Sequence, residues 1–382
     1  MEKEDAPVDA NEQPYLRVIQ HDNISHNPLG GGAYIFGDSL IQHLNLHCTK
    51  PRIIINIGCQ PNSPPHMGTI INFAVAFFIA RKLQQGHNRS VLVSLDLVDT
   101  APSDQLTING LRYQRSLRFT REMDKYMPDF IEILDALSTR TGVTYRVRTQ
   151  AEFLAGPFIP AALRQIVRDR DTLGPSFSPK TGQLAIRAAC PHATGCGLTD
   201  KHGARNVYSY SDNGESMIEF HCPEHGAYKL NLSDPQQVQR LEFNTPLRNI
   251  LRAKVFARDP DASWIRVPGM DYAGYYQEQL LWRYIEPGEG LLIVYAPLIT
   301  DWSGAKLSKS LYVQSGAYQY LIDQGMDYLV SYKVFKDQKK DLGVIFEEVQ
   351  GWVEEPLKLF RPYSTAYIDQ LFKGDKPEQG KL

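Results

Sequence analysis

The hydrophobic pattern changes period several times along the chain. Arg52–Gly58 (RIIINIG) is a short, β-branched, nearly continuous apolar run, as a parallel strand buried on both faces requires. A proline-rich loop, Gln60–Pro65, leads into Met67–Leu83 (MGTIINFAVAFFIARKL), which is too long for a strand and free of internal proline, so it predicts a buried helix. Ser90–Leu95 (SVLVSL) predicts a second strand, ending in Asp96. Strand, helix and strand in this order build doubly wound sheets, whose ligands bind outside the carboxyl ends of the strands.

Gly110–Leu137 carries an amphipathic, helical spacing. In residues 185–231 cysteine, histidine, glycine and short polar strands interrupt the helical text, as in a small inserted module. After it the pattern predicts a helix over Gln236–Phe256, a turn at Pro268–Gly269, a helix over Gly274–Tyr284, a third strand at Leu291–Tyr295 and helices from Val313 onward. The expected organisation is a polar flexible segment over 1–34, an α/β domain in two halves (35–184 and 232–315) around the 185–231 insertion, and a helical segment over 316–382.

A chain of 382 residues can bury a sizeable core, as about two domains or as one large domain with an insert. No apolar run approaches the roughly 20 residues needed to span a bilayer, and the acidic, polar start (MEKEDAPVDANEQP) lacks the basic and apolar stretches of a signal peptide. A cytoplasmic protein with no membrane partner is expected. Five cysteines, an odd number, fit a reducing compartment with some thiols on metal. The formal net charge of −2 gives no global attraction to nucleic acid, so DNA is not expected as a partner and any RNA contact must be local.

Cys59–Thr69 (CQPNSPPHMGT) sets His66 and Gly68 at a helix start directly after the first strand. Helix N-terminal amides carry partial positive charge, the glycine allows close backbone approach and the histidine can donate, so the position suits phosphate. The plainer reading is a helix-start loop rigidified by prolines. Asp96 and Asp99 offer either a receptor for a cation or an acidic loop capping the next helix. Cys190, Cys196, Cys222 and His225 form two short Cys/His pairs around a β-rich stretch, the way a zinc ribbon supplies four ligands to a closed, structural site. The first pair has five intervening residues, longer than the usual two to four, so His192, His202 and His221 are substitutes. Arg112, Arg115, Arg118 and Arg121 recur every three residues, with Lys125 one turn on; in a helix they make a cationic face for RNA phosphates, or a solvated face paired with acids. Lys333–Lys340 is a second basic candidate.

Pro61–Thr69 resembles the HIGH signature of class I aminoacyl-tRNA synthetases, in the form P-S-G-x-P-H-I-G-N found in the class I lysyl enzymes. Pro61, Pro65, His66 and Gly68 match, whereas Asn62, Ser63 and Thr69 depart. About 240 residues on, Lys306–Ser310 (KLSKS) resembles KMSKS, the loop whose lysines stabilise charge on pyrophosphate as an adenylate forms. Ser94–Pro102 (SLDLVDTAP) resembles the W-D-D-Y-D…P segment, keeping Asp96 and Asp99; Gly269–Ala273 (GMDYA) resembles G-K-D-H-A, with Met270 and Tyr272 changed; and Thr245–Arg248 (TPLR) resembles W-P-M-R, with Asn244 in place of aspartate. The resemblance covers roughly residues 35–315. It implies an α/β fold, a Rossmann-like doubly wound parallel sheet of class I synthetase type with a small zinc-ribbon insertion and C-terminal helices.

The resemblance also implies roles: His66, Lys306 and Lys309 for catalysis; Pro65, Gly68, Gly269 and Ser308 for the nucleotide or the tRNA end; Asp96, Asp99 and Asp271 for the amino acid; and the Arg112–Arg121 series for tRNA. About 70 residues follow KLSKS, too few for the large helical domain that reads an anticodon. The chain is also similar to the fungal arginine-containing cyclodipeptide synthases, in its single truncated synthetase-like domain. That similarity gives the leading expectation: a tRNA-dependent synthase forming an arginine-containing cyclic dipeptide from charged tRNA, with Asp96 and Asp99 holding a guanidinium and Tyr272, Tyr276 and Glu278 as candidates for general base and oxyanion stabiliser. The alternatives are ATP-dependent aminoacyl adenylation of lysyl or arginyl type, with ATP and magnesium and transfer to tRNA or another acceptor, and a non-catalytic tRNA or nucleotide sensor.

Overall fold

The computed structural model describes residues 28–29, 40–86, 89–192, 195–210, 215–273, 284–285, 291–308, 316 and 318–374. Strand β1 (Pro28–Leu29) and helix α1 (Leu40–His47) precede β2 (Arg52–Cys59), whose residues Ile53–Ile57 are all buried. Helix α2 (Met67–Gly86) follows, then β3 (Ser90–Leu97). Twelve residues of α2 are buried, Met67 and Phe73–Ala80 among them, because the sheet and other helices enclose it. A helix covered on several sides has no polar face to show, hence its weak amphipathicity.

The next segment differs from the sequence expectation. Residues 110–137 are not one helix: β4 (Pro102–Ile108) and β5 (Leu111–Ser116) form an antiparallel hairpin, followed by a single helical turn α3 (Leu117–Thr120), a 3-10 turn over Glu122–Lys125, and α4 (Met127–Thr141). Asn109 and Gly110 close the hairpin with φ of 49° and 77°, the pair of positive angles that a two-residue I′ turn demands and that Asn-Gly supplies cheaply.

Strand β6 (Thr144–Arg148) leads into α5 (Gln150–Leu154), α6 (Ile159–Arg168) and α7 (Arg170–Phe177). Then come β7 (Ile186–Ala188), β8 (Thr199–Asp200), β9 (Val207–Tyr210), β10 (Ser216–Cys222) and β11 (Gly226–Asn231). The last three form an antiparallel sheet, while β8 pairs with β5. The predicted helix over Gln236–Phe256 is likewise divided, into α8 (Pro235–Val238), β12 (Leu241–Phe243), which pairs with β7, and α9 (Thr245–Ala257). The division falls at Asn244, whose side chain accepts from Leu247 N at 3.1 Å and caps α9, with Pro246 in its first turn. Strand β13 (Ala262–Arg266), which the hydrophobic pattern did not announce, precedes β14 (Leu292–Val294), the core of the predicted third strand. Of the predicted 274–284 helix, only Tyr284 lies within the described residues. Strand β15 (Ile299–Thr300) pairs in parallel with β16 (Tyr363–Ser364), among C-terminal helices Gln319–Asp323, Tyr332–Asp337, Leu342–Glu354 and Thr365–Lys373.

The fold is thus mixed α/β around one central parallel sheet, in the order β1-β14-β13-β2-β3-β6. The chain moves from β2 outward to β3 and β6, then returns to the other side of β2 with β13 and β14. The strand order reverses between β2 and β13, and beyond the carboxyl ends of those two strands such sheets open a crevice. One face of the sheet is covered by α2, α4 and the C-terminal helices, the other by α5–α7 and α9. Among the described residues no helix is long and apolar enough to cross a membrane.

Candidate functional site

A cavity of about 440 Å³ lies at that switch point. Gly58 and Cys59 at the end of β2, Arg266–Gly269 at the end of β13, and Ala296–Ile299 after β14 form one side of its lining. The loop after β2 contributes His66, and α9 contributes Arg248, Asn249 and Arg252.

His66 stands just before α2, and its carbonyl accepts from Thr69 N at 2.8 Å and Ile70 N at 3.1 Å, closing the first helical turn. The ring folds back over that turn: a Cβ at Gly68 would lie 3.0 Å from His66 Cε1, so a side chain there displaces the imidazole. The carbonyl of Pro65 accepts from Tyr332 N at 2.9 Å, tying the loop to the C-terminal helices.

Gly269, also in the lining, bridges to Ala296 in parallel, and Met270 N donates to Ala296 O at 3.0 Å, extending the sheet by one step. This starts the 3-10 turn Met270–Tyr272, which carries Asp271. A Cβ at Gly269 would sit 2.6 Å from Asp271 Oδ1, so the carboxylate packs where only glycine leaves room. Lys306 Nζ lies 2.5 Å from Asp271 Oδ2. Leu307 N donates to Ile299 O at 2.7 Å and Ser308 N to Tyr318 Oη at 2.8 Å, fixing the backbone on either side of Leu307.

His66, Gly68, Gly269, Asp271, Tyr272, Lys306 and Ser308 therefore line one cavity, with Pro65 buried beside His66. Lys309, Tyr276 and Glu278 lie outside the described residues.

Asp96 and Asp99 are placed otherwise than as receptors for a cationic substrate. Neither lines the cavity. Asp96 is 1% exposed and holds Arg148 through two hydrogen bonds of 2.9 and 2.8 Å, with Arg252 Nε at 3.4 Å. Burial pushes its carboxyl upward, but Arg252, Arg148 and Arg266 together more than offset this and hold it below the ordinary carboxylate range. Asp99 is buried, accepts from Gln150 N at 3.2 Å and supports the start of α5. Burial raises its pKa, against the pull of Arg118.

The arginine series does not form a helical face. Arg112 and Arg115 sit on strand β5, where an odd separation points side chains to opposite faces. Arg115 pairs with Asp104 at 3.0 Å and donates to Cys196 O at 2.7 Å. Arg118 donates to Gln239 O and Arg240 O and lies 3.4 Å from the buried carboxylate of Glu242. Arg121, in left-handed conformation, pairs with Asp124 at 2.9 Å. In the second basic stretch Lys333 pairs with Asp337, and Lys336 bridges Asp129 and Glu132 at 2.8 Å each.

The sequence motif Thr245–Arg248 pointed to Arg248 without a role for it, and sequence reasoning missed Arg252, Arg266 and the basic wall the three make in the cavity. Arg248 and Arg252, one turn apart on α9, and Arg266 at the end of β13 are all buried, at 5%, 2% and 6% exposure. A Cβ at Gly58 would sit 3.7 Å from Arg252 Nη1, so this guanidinium reaches the end of β2. Arg248 donates to Phe243 O at 3.2 Å and Thr245 Oγ1 at 3.1 Å. The i, i+4 spacing of two arginines on a half-apolar helix was the available signal.

Away from the cavity, Cys190, Cys196, Cys222 and His225 bring one ligand atom each within 4.8 Å of one another. The separations are 3.6 Å for Cys196 Sγ–Cys222 Sγ, 3.7 Å for Cys190 Sγ–His225 Nδ1 and 3.5 Å for Cys222 Sγ–His225 Nδ1. Tetrahedral thiolates about 2.3 Å from zinc stand about 3.8 Å apart, so the set fits that ion. Of the substitutes, His192 stacks on His225 at 3.8 Å and His221 faces Glu219 at 3.6 Å. His202 lies in the turn after β8.

No protein family's sequence signature and no curated protein matches the chain. Among solved structures it is similar to a glutamate tRNA ligase from Elizabethkingia meningosepticum in complex with its amino acid, at 12% identity and a TM-score of 0.31 over 69% of this chain and 53% of that one. It is similar at the same identity and TM-score to a glutamate-tRNA synthetase from Elizabethkingia anophelis, over 69% and 54% of the two chains. An arginyl-tRNA synthetase from Plasmodium falciparum is similar at 8% identity and a TM-score of 0.33, over 85% and 55%. The chain spans about half the length of these structures. Likeness at this level assigns no activity.

Proposed function

We propose that the chain activates an amino acid with ATP, as class I synthetases do, and passes it to tRNA. The observation that carries this reading is that His66 and Lys306, 240 residues apart in sequence, line one cavity at the reversal point of a parallel sheet. The start of α2 and the His66 ring offer donors and partial positive charge to a triphosphate. Lys306, with Lys309 after it in the sequence, matches the charge that collects on pyrophosphate when the α-phosphate is attacked by a carboxylate. Magnesium would enter with the phosphates. The zinc-type ligand set lies apart from this chemistry, and with four protein ligands it would serve stability.

The cyclodipeptide reading ranks below this one. It relied on Asp96 and Asp99 to hold a guanidinium, and Asp96 is already matched by two arginines of the chain itself.

Pyrophosphate exchange tests the choice. Purified protein with ATP, labelled pyrophosphate and single amino acids is expected to incorporate label into ATP for at least one amino acid. Cyclic dipeptide formed from charged tRNA without ATP, and no exchange, would reverse the ranking. Silence in both assays would leave the sensor reading.

A further inference from the structure

We infer that Arg248, Arg252 and Arg266 form a carboxylate-binding subsite in the cavity, and that the amino acid taken there is a dicarboxylic one. The inference rests on the activation chemistry proposed above and adds the substrate class.

All three guanidiniums line the same cavity, each more than nine-tenths buried. Two carboxylates among the described residues stand close to this wall. Asp96 lies 3.4 Å from Arg252 Nε but also takes two hydrogen bonds from Arg148, and Asp271 lies at Lys306. Arg248 meets only neutral acceptors among the described residues, Phe243 O and Thr245 Oγ1, and its Nε is buried without a hydrogen-bond partner. Burial and then the nearby Arg252 push its pKa down to about 9, so it remains charged at neutral pH in a place that disfavours charge.

A buried cation in that position is stabilised by an anion placed against it, and a guanidinium fork matches a planar carboxylate with two parallel hydrogen bonds. A cationic side chain in the same cavity would meet three like charges. The side-chain carboxylate of aspartate or glutamate fits this wall, and it leaves the α-carboxylate for the ATP side that His66 and Lys306 flank.

Exchange would be measured with aspartate, glutamate, asparagine, glutamine, lysine and arginine, and binding of the same amino acids by calorimetry. Label incorporation is expected with a dicarboxylic amino acid and at least about tenfold less with the amides, lysine or arginine. Arg248→Gln should raise KM for the acidic amino acid by about tenfold or more and leave KM for ATP within about twofold. Arg248→Lys keeps the charge and guards against loss of the fold; it should give a smaller rise in the same direction.

Exchange confined to a neutral or cationic amino acid would overturn the inference while leaving the activation chemistry standing. So would a rise in KM for ATP alone in Arg248→Gln, since the arginines would then serve phosphate. If no amino acid supports exchange, the activation chemistry falls, and calorimetry still decides the subsite: aspartate or glutamate binding that Arg248→Gln weakens supports it, and no binding overturns it.

Discussion

Lys306 Nζ and Asp271 Oδ2 stand 2.5 Å apart on the wall of the cavity, joining a loop after β15 to the turn after β13. The lysine is held by a carboxylate that an incoming polyphosphate would have to outcompete. Lys306→Ala is expected to lower the rate of pyrophosphate exchange by about 100- to 1000-fold, the range seen when one transition-state donor is removed. Asp271→Asn, which keeps shape and removes the competing charge, should change it far less. Exchange kinetics alongside circular dichroism would check both.

His66 and Gly68 make a separate test, because helix propensity and function point in opposite directions. Gly68→Ala is favourable for a helix by about 1 kcal/mol, yet its Cβ would crowd the imidazole at 3.0 Å. The variant should melt no lower than the parent while exchanging pyrophosphate more slowly; His66→Ala should lose activity in the range given for Lys306→Ala. A Gly68→Ala protein with full activity would show that the ring position is immaterial.

Asp96 links stability to pH. Its carboxyl is held below the ordinary range by Arg252, Arg148 and Arg266 against burial, so the stability it contributes is present above the unfolded pKa of about 4 and is lost as pH falls through the lower folded value. Asp99 is shifted upward by burial, so ionising it weakens the fold in the window above about pH 4, opposite in sign. Asp96→Asn removes the buried carboxylate that Arg148 and Arg252 face and should cost about 3–5 kcal/mol at neutral pH. Urea unfolding at pH 7 and at pH 3.5 should show the gap between the variant and the parent narrowing with acid.

For the Cys190, Cys196, Cys222 and His225 set, elemental analysis of purified protein is expected to give one zinc per chain. A chelator or Cys222→Ser should remove the metal and lower the melting temperature, and the amino acid dependence of exchange should persist in whatever protein stays folded. Full stability after metal removal would leave the four residues as a packed cluster of three thiols and an imidazole.

Much of the central architecture was legible because β2, α2 and β3 bury most of their residues, and such segments announce themselves by long apolar runs. The hairpin β4–β5 was not, because arginines every third residue imitate a helical stripe. The Asn109–Gly110 turn signal between the two strands outweighed that spacing. Likewise the break at Asn244 was written as a cap followed by proline, inside a stretch whose periodicity read as continuous. In the site, His66 and Lys306 stood in recognisable phrases, whereas Arg248, Arg252 and Arg266 come from a helix and a strand that only the sheet order brings together. Asp96 shows the converse limit: an acid beside a strand end looks available until the arginines of β6 and α9 are seen around it.

The hydrogen bond from Tyr332 to Pro65 makes the far end of the chain a mechanical neighbour of the imidazole. Any displacement of the Tyr332–Asp337 helix is therefore carried through that one bond to the backbone a residue before His66.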